Sequence, residues 1–247
     1  MSTSDITRTD ASPTVVLVHG AFVDASSWNG VIAELKAAGI GVVAPPNLLR
    51  GIGVDAAYLT GFVESLGRPA VLVGHSYAGA VISQAGRDAK GVVGLVFVAA
   101  FAPEAGETLA AINARYPDVP LAAAQRTFTY TDERGRQATD TLVDGRSFHG
   151  AVCADLPEDV ADMLARTQRP ASLDAFTTVV TGTPAWKTLP SWAVVATADR
   201  AIHPHAERDM AKRAGSQVTE IDASHSVLAS HPADAAAVIV SAVKATR

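Results

Sequence analysis

The sequence predicts an α/β protein with a mostly parallel sheet of about six strands flanked by helices. Three observations indicate this fold class. Short, unbroken runs of Val, Leu and Ile are typical of parallel strands that are buried on both faces. The stretches between these runs repeat apolar residues every three or four positions, as amphipathic helices do. The composition, with 48% hydrophobic and 18% charged residues, is that of an ordinary globular chain.

Five apolar runs are predicted to form strands, at residues 14–18, 41–44, 70–73, 92–98 and 192–196. Helical patterns occupy residues 28–38 and 56–66, and an alanine-rich stretch at 232–244 predicts a C-terminal helix. Strands that alternate with helices in this way form βαβ units. We therefore expect a doubly wound sheet.

The regular alternation stops after Phe101. Residues 102–183, which we call the cap segment, contain proline, glycine and charged residues without a strand-helix rhythm. Within it we predict a helix at 157–166 and a short strand at 128–131. A chain of 247 residues commonly forms one domain. The expected organisation is a flexible tail over residues 1–12 and a single domain over 13–247, into which the cap segment is inserted.

Charge and composition exclude several classes of function. The net charge is −5 and the lysines and arginines are scattered, so no basic stripe is available for nucleic acid. No apolar run reaches the roughly 18 residues of a membrane span. The N-terminus lacks a secretion signal, which predicts a cytoplasmic protein. The single cysteine, Cys153, has no disulfide or zinc-ligand companion, and we expect a small buried residue.

The most informative stretch is residues 70–79, where an apolar strand runs into a serine and then a helical pattern. Ser76 is flanked by Gly74 two residues before it and Ala78 two residues after it, with Gly79 next. A strand-to-helix turn that exposes a nucleophilic serine needs small residues at these places. The pattern is Gly-x-Ser-x-Ala rather than the commoner Gly-x-Ser-x-Gly. The alternative interpretation is a tight turn whose serine caps the following helix.

A second motif, at residues 17–22, ends a buried strand with His19, Gly20 and Ala21. Acyl transfer generates an oxyanion, which backbone N–H groups at strand ends commonly stabilise. The N–H groups of Ala21 and Tyr77 are the expected donors. We expect His19 to brace the loop through hydrogen bonds rather than to exchange protons.

A serine nucleophile requires a base and an acid that orients the base. Where the serine lies on such a turn, the acid and then the histidine follow it along the chain. Asp199 comes after the strand at 192–196, and His225 lies in a loop before the last helix. Asp222 and Glu104 are alternative acids. Among the other histidines, His75 is expected to point away from Ser76 across the turn.

These residues together resemble the α/β-hydrolase superfamily, in particular the small-capped group of plant methylesterases, hydroxynitrile lyases and related bacterial esterases. The resemblance runs from about Thr14 to near the C-terminus. His-Gly-Ala at 19–21 resembles the oxyanion loop of that group, and Gly-His-Ser at 74–76 resembles its nucleophile turn. Ala-Asp-Arg at 198–200 and Ala-Ser-His at 223–225 match its acid and base.

The resemblance implies a catalytic triad of Ser76, Asp199 and His225. Hydroxynitrile lyases place a hydroxyl or amide side chain in the oxyanion loop or a lysine beside the histidine, and here these positions are Ala21 and Ser226. We therefore expect hydrolysis of a small, largely apolar carboxylic ester, without cofactor or metal, in a pocket shaped by Phe22 and Trp186. Lactone or amide hydrolysis, C–C or hydroxynitrile cleavage, and a ligand receptor are the alternatives. The resemblance is also compatible with a homodimer.

Overall fold

A six-stranded parallel sheet forms the centre of the molecule. The structure is a computed structural model that describes residues 12–247, so the predicted tail at 1–12 lies outside the described residues except for Ser12. The strands are β1 (Thr14–Val18), β2 (Val42–Val43), β3 (Ala70–His75), β4 (Val92–Val98), β5 (Gln125–Thr131), β6 (Gln137–Val143), β7 (Ala171–Ser172), β8 (Ser191–Ala196) and β9 (Gln217–Ile221). The central sheet has the order β2-β1-β3-β4-β8-β9, and every neighbouring pair is parallel.

Helices cover both faces of this sheet. They are α1 (Asn29–Ala37), α2 (Ile52–Ser65), α3 (Ala78–Asp88), α4 (Leu109–Asn113), α5 (Pro120–Ala124), α6 (Gly145–Val152), α7 (Glu158–Thr167), α8 (Asp174–Thr177), α9 (Pro204–Arg213), α10 (Val227–Ser230) and α11 (Pro232–Ala245). One core cluster joins α1 and α11 to the sheet, and a second joins α2, α3, α9 and the cap segment to the opposite face. Among the described helices, none is long and apolar enough to cross a membrane.

The predicted fold class is confirmed, and so are the five predicted strands. The sixth strand, β9, was not predicted because its own residues do not form a continuous apolar run. It pairs only with β8 at the edge of the sheet, and four of its five residues are exposed. An edge strand needs no apolar residues on both faces, so it leaves a weak signal in the sequence. Cys153 is a buried free cysteine, as expected, and burial raises the pKa of its thiol to about 12.

The cap segment contains an antiparallel sheet of its own, in the order β5-β6-β7, together with five short helices, α4 to α8. The predicted strand at 128–131 is the second half of β5, and the predicted helix at 157–166 is α7. Arg50, in the loop before α2, donates two hydrogen bonds to the Asp140 carboxylate on β6, at 2.8 and 2.9 Å. This ion pair connects the cap segment to the loop between β2 and α2.

Candidate active site

Ser76 lies in a strained turn between β3 and α3. Its φ of +55° is in the left-handed region that side chains rarely adopt, at a cost of about 1–3 kcal/mol. Three backbone hydrogen bonds hold this conformation. The Ser76 N–H donates to the Val98 carbonyl at 3.2 Å, and the Ser76 carbonyl accepts from the N–H groups of Gly79 and Phe101 at 3.0 and 3.1 Å. The sheet therefore fixes the position of the hydroxyl.

Close backbone packing explains the small residues around this turn. A Cβ atom on Gly74 would lie 2.7 Å from the Ala78 carbonyl oxygen, and one on Gly79 would overlap the Phe101 carbonyl oxygen. A Cβ on Gly20 would lie 2.8 Å from the Ser76 Cβ. Ala78 itself is buried in the core. The second glycine that the turn requires is thus at 79, because that is where α3 approaches the chain that follows β4.

Asp199 and His225 form a buried pair at the carboxyl ends of β8 and β9. The His225 Nδ1–H donates to the Asp199 Oδ2 at 2.6 Å, which leaves Nε2 as the nitrogen that can accept a proton. The Asp199 Oδ1 accepts from the N–H groups of Ala201 and Ile202 at 2.6 and 2.9 Å. Burial opposes ionisation of Asp199, but His225 and these hydrogen bonds together lower its pKa below the usual value.

The loop that carries His225 is held from two sides. On one side, the His75 Nε2–H donates to the His225 carbonyl at 2.9 Å, and the two rings lie 4.7 Å apart. On the other side, the Ser224 N–H and hydroxyl both donate to the Asp155 carboxylate in the cap segment. Burial lowers the pKa of His75 to about 3, so its ring is neutral. The His75 ring, which was expected to point away from Ser76 across the turn, thus packs against His225 as a neutral group.

Ser76 and His225 both open onto one enclosed cavity, which we call the inner cavity. Its volume is about 40 Å³, and most of its lining is apolar. The lining residues are Ala21, Phe22, Val23, His75, Ser76, Phe101, Asn113, Leu121, Gln125, Val152, Phe176, Ala201, Ile202 and His225. Within this lining the Phe22 and Phe176 rings stack on each other, with their centroids 6.1 Å apart.

A larger space, the outer cavity, adjoins the inner one and has a volume of about 310 Å³. The two cavities share five lining residues: Asn113, Leu121, Gln125, Phe176 and Ala201. The Asn113 Oδ1 is buried without a hydrogen-bond partner among the described residues. These five residues lie between the two cavities, and we call them the neck; they include an unused hydrogen-bonding group.

Of the two predicted pocket residues, Phe22 lines the inner cavity, whereas Trp186 lines neither cavity. The Trp186 Nε1–H donates to the Pro103 carbonyl at 3.2 Å, and Arg213 and Lys187 lie over its ring. The expectation that Trp186 shapes the pocket is therefore corrected. Its side chain is buried in the core and binds the backbone at the start of the cap segment. Phe176, which was not predicted, lies against Phe22 instead.

The two N–H groups expected to bind an oxyanion are free. Within residues 12–247, neither the Ala21 N–H nor the Tyr77 N–H donates to another group. The Tyr77 hydroxyl donates to the buried Asp55 at 2.7 Å, so that side chain is already engaged. The His19 Nε2 accepts from the Asn47 N–H at 2.9 Å, and burial lowers the pKa of His19 to about 4. His19 thus braces the loop as a neutral ring.

The alternative acids have other partners. Asp222 accepts from the Thr197 hydroxyl at 3.3 Å, and Glu104 pairs with Lys187 at 2.6 Å. Within the described residues, neither Asp222 nor Glu104 forms a hydrogen bond or ion pair with His225, whereas Asp199 does. The structure therefore brings Asp199, His225 and Ser76 to one site and leaves the two alternatives outside it.

Comparisons with known proteins agree with this fold. Residues 15–238 match the model of the alpha/beta hydrolase family. Polyneuridine aldehyde esterase has a similar structure, with a TM-score of 0.79 at 18% identity over 93% of this chain and 98% of that chain. A pyrethroid hydrolase from Sphingobium faniae gives 0.73 at 20% identity over 94% and 98%, and tomato methylketone synthase I gives 0.77 at 18% over 96% and 100%. No curated protein matches in sequence.

Proposed function

Because this chain belongs to the alpha/beta hydrolase family, we propose that it is a serine hydrolase that cleaves carboxylic esters through an acyl-enzyme intermediate. One observation carries the proposal. The 2.6 Å hydrogen bond from His225 to Asp199 orients a histidine that shares the inner cavity with the strained Ser76. A base oriented in this way beside a serine is the arrangement that nucleophilic catalysis needs.

In the proposed reaction, the Ser76 Oγ attacks the ester carbonyl carbon while the His225 Nε2 takes the hydroxyl proton. Asp199, which accepts from Nδ1, stabilises the imidazolium that forms. The N–H groups of Ala21 and Tyr77 donate to the oxyanion. His225 then returns the proton to the leaving alcohol, and the acyl group stays on Ser76. Water, activated by His225, releases the carboxylic acid and regenerates the serine.

The lining of the two cavities supports a substrate with two parts. The inner cavity is narrow and mostly apolar, so it suits a small apolar group next to the scissile bond. The outer cavity offers more room and includes polar side chains, among them Asn113 and Gln125. We infer an ester with a compact apolar part and a longer part that passes the neck. The names of two similar structures, an esterase and a pyrethroid hydrolase, agree with hydrolysis.

The decisive experiment is active-site labelling with a fluorophosphonate, followed by turnover of short p-nitrophenyl esters, lactones and amides. Ser76→Ala should abolish labelling and lower kcat/KM for the preferred ester by about 10⁴-fold or more. Ser65→Ala, which removes an exposed serine on α2, is the matched control and should behave as wild type.

Unchanged labelling of Ser76→Ala would overturn the proposal. Faster turnover of lactones or amides than of esters would keep the serine mechanism and change the substrate class. Labelling without release of product would indicate a ligand receptor built on the hydrolase fold.

A further inference from the structure

A second buried carboxyl group lies beside Asp199. Glu207, on α9, is only 3% exposed. Its Oε2 accepts from the Ala196 N–H at 3.1 Å, while its Oε1 is buried and meets no donor among the described residues. The Asp199 N–H donates to the Ala196 carbonyl at 3.2 Å, so both acids attach to the same turn after β8. Neither the composition nor any motif singled out Glu207.

The surroundings of Glu207 disfavour its charge. A small apolar void adjoins it, lined by side chains of β4, the segment after β4, β8 and α9, among them Phe97, Ala193 and Val195. The titratable groups whose charges act on Glu207 are Asp199, which lies in the same turn after β8, and Arg208 on α9. Arg208 is engaged by Glu220 at 2.7 Å and does not neutralise Glu207 through a contact. Two buried carboxylates without a cation between them cannot both stay ionised.

We propose that Glu207 is held as a neutral carboxylic acid whose Oε1–H donates to the Asp199 carboxylate, so that it acts as a positioning residue for the acid of the triad. The inference rests on the proposed function, because it assigns Asp199 that role. Burial and the Asp199 charge raise the pKa of Glu207 well above its usual value, in agreement with the geometry.

The hydrogen bonds of Asp199 are then complete. A carboxylate offers about four acceptor sites. Three are taken by the His225 Nδ1–H and the N–H groups of Ala201 and Ile202. A proton on Glu207 supplies the fourth and gives the orphaned Oε1 its partner. The carboxyl pair then carries one negative charge instead of two, which limits the electrostatic stabilisation of a protonated His225.

Two substitutions separate a neutral Glu207 from an ionised one. Glu207→Gln cannot ionise, but its amide can donate to Asp199 and accept from Ala196. We expect its kcat/KM within about threefold of wild type and its acid limb of the pH profile unmoved. Glu207→Met removes the donor at similar size, and we expect kcat to fall about 10- to 100-fold with KM little changed. Glu64→Gln, at an exposed site on α2, is the matched control.

The results that would overturn the inference are distinct. If Glu207→Gln moves the acid limb to lower pH, a negative charge has been removed and Glu207 was ionised. If Glu207→Met keeps both kcat and the pH profile of wild type, Glu207 does not position Asp199.

Infrared spectroscopy tests the protonation state without any turnover. Wild type at neutral pH should show the carbonyl band of a protonated carboxylic acid, and Glu207→Gln should lose it. This measurement applies even if Glu207→Met does not fold. It also separates the two proposals, because an inactive Ser76→Ala would support the hydrolase while an absent band would overturn the role of Glu207 alone.

Discussion

The strands of the central sheet and those of the cap segment differ in burial and in the number of strands with which they pair. In the sheet, β3 and β8 are buried along their whole length, and each has a parallel neighbour on both sides. In the cap segment, β5 has one antiparallel neighbour, and six of its seven residues are exposed. The loops after the buried strands carry the proposed triad, and the cap segment supplies Asn113, Leu121 and Phe176 to the cavities. If the proposed function is correct, we expect the sheet to determine the chemical step and the cap segment to determine which substrates enter.

The largest loss of activity should come from a substitution in a loop of the central sheet. Asp199→Asn keeps the shape of the side chain but allows the wrong tautomer of His225, so kcat should fall by about 10⁴-fold. Asp222→Asn, three residues before His225, is the control and should stay within a few-fold of wild type. Steady-state kinetics on the preferred ester measures both. A large loss in Asp222→Asn with an active Asp199→Asn would reverse the assignment of the acid.

A residue of the cap segment should also affect chemistry, and this would sharpen the comparison. Asp155→Ala leaves the buried Ser224 N–H without its acceptor, at a cost of about 1–3 kcal/mol, and loosens the loop that carries His225. We expect kcat to fall about 10-fold with KM little changed. Asp159→Ala, at an exposed site on α7, is the control.

The same variant has a pH signature. Hydrogen bonds from Ser224 outweigh partial burial and lower the pKa of Asp155 in the folded state. Its stabilising contribution is therefore present above the unfolded-state pKa and is lost as the pH falls below about 3.8. The difference in Tm between wild type and Asp155→Ala should shrink in that range. A difference that does not change with pH would show that the Asp155 charge is not involved.

The smallest effect should come from the neck between the cavities. Asn113→Leu keeps the volume but removes the unused hydrogen-bonding group, so it should alter selectivity and not the chemical step. We expect a few-fold loss of kcat/KM for esters with a polar group in the longer part and little change for p-nitrophenyl acetate. Ala110→Leu, on the outer cavity only, is the comparison variant. Equal losses for all esters would argue against a specificity role.

The sequence predicted what depends on local patterns. The turn at Ser76, the free N–H of Ala21 and the strands of the sheet follow from short motifs and apolar runs. Asp199 was favoured by chain order, and its contact with His225 across 26 residues needed the structure. The position of Trp186 was predicted wrongly because the segment around it has no helical or strand repeat. Without such a repeat, the sequence does not show in which direction an aromatic side chain points.

Long-range contacts between polar residues were beyond the sequence. Asp155 meets Ser224 across 69 residues, and Arg50 meets Asp140 across 90. In the sequence, Glu207 looks like any exposed charged residue of an amphipathic helix. Only its burial near Asp199 in the structure distinguishes it from the other acidic residues. Burial and pairing of charges depend on how distant elements pack, and no local spacing encodes that.

In this chain the second glycine of the turn stands at position 79 and not at 78, and this affects how such proteins are found by sequence searches. A pattern search that demands glycine two residues after the serine passes over this chain. The Cβ of Ala78 is tolerated, whereas a Cβ on Gly79 would overlap the Phe101 carbonyl oxygen. A search that asks for a small residue wherever the helix meets the backbone that follows the next strand would retrieve it.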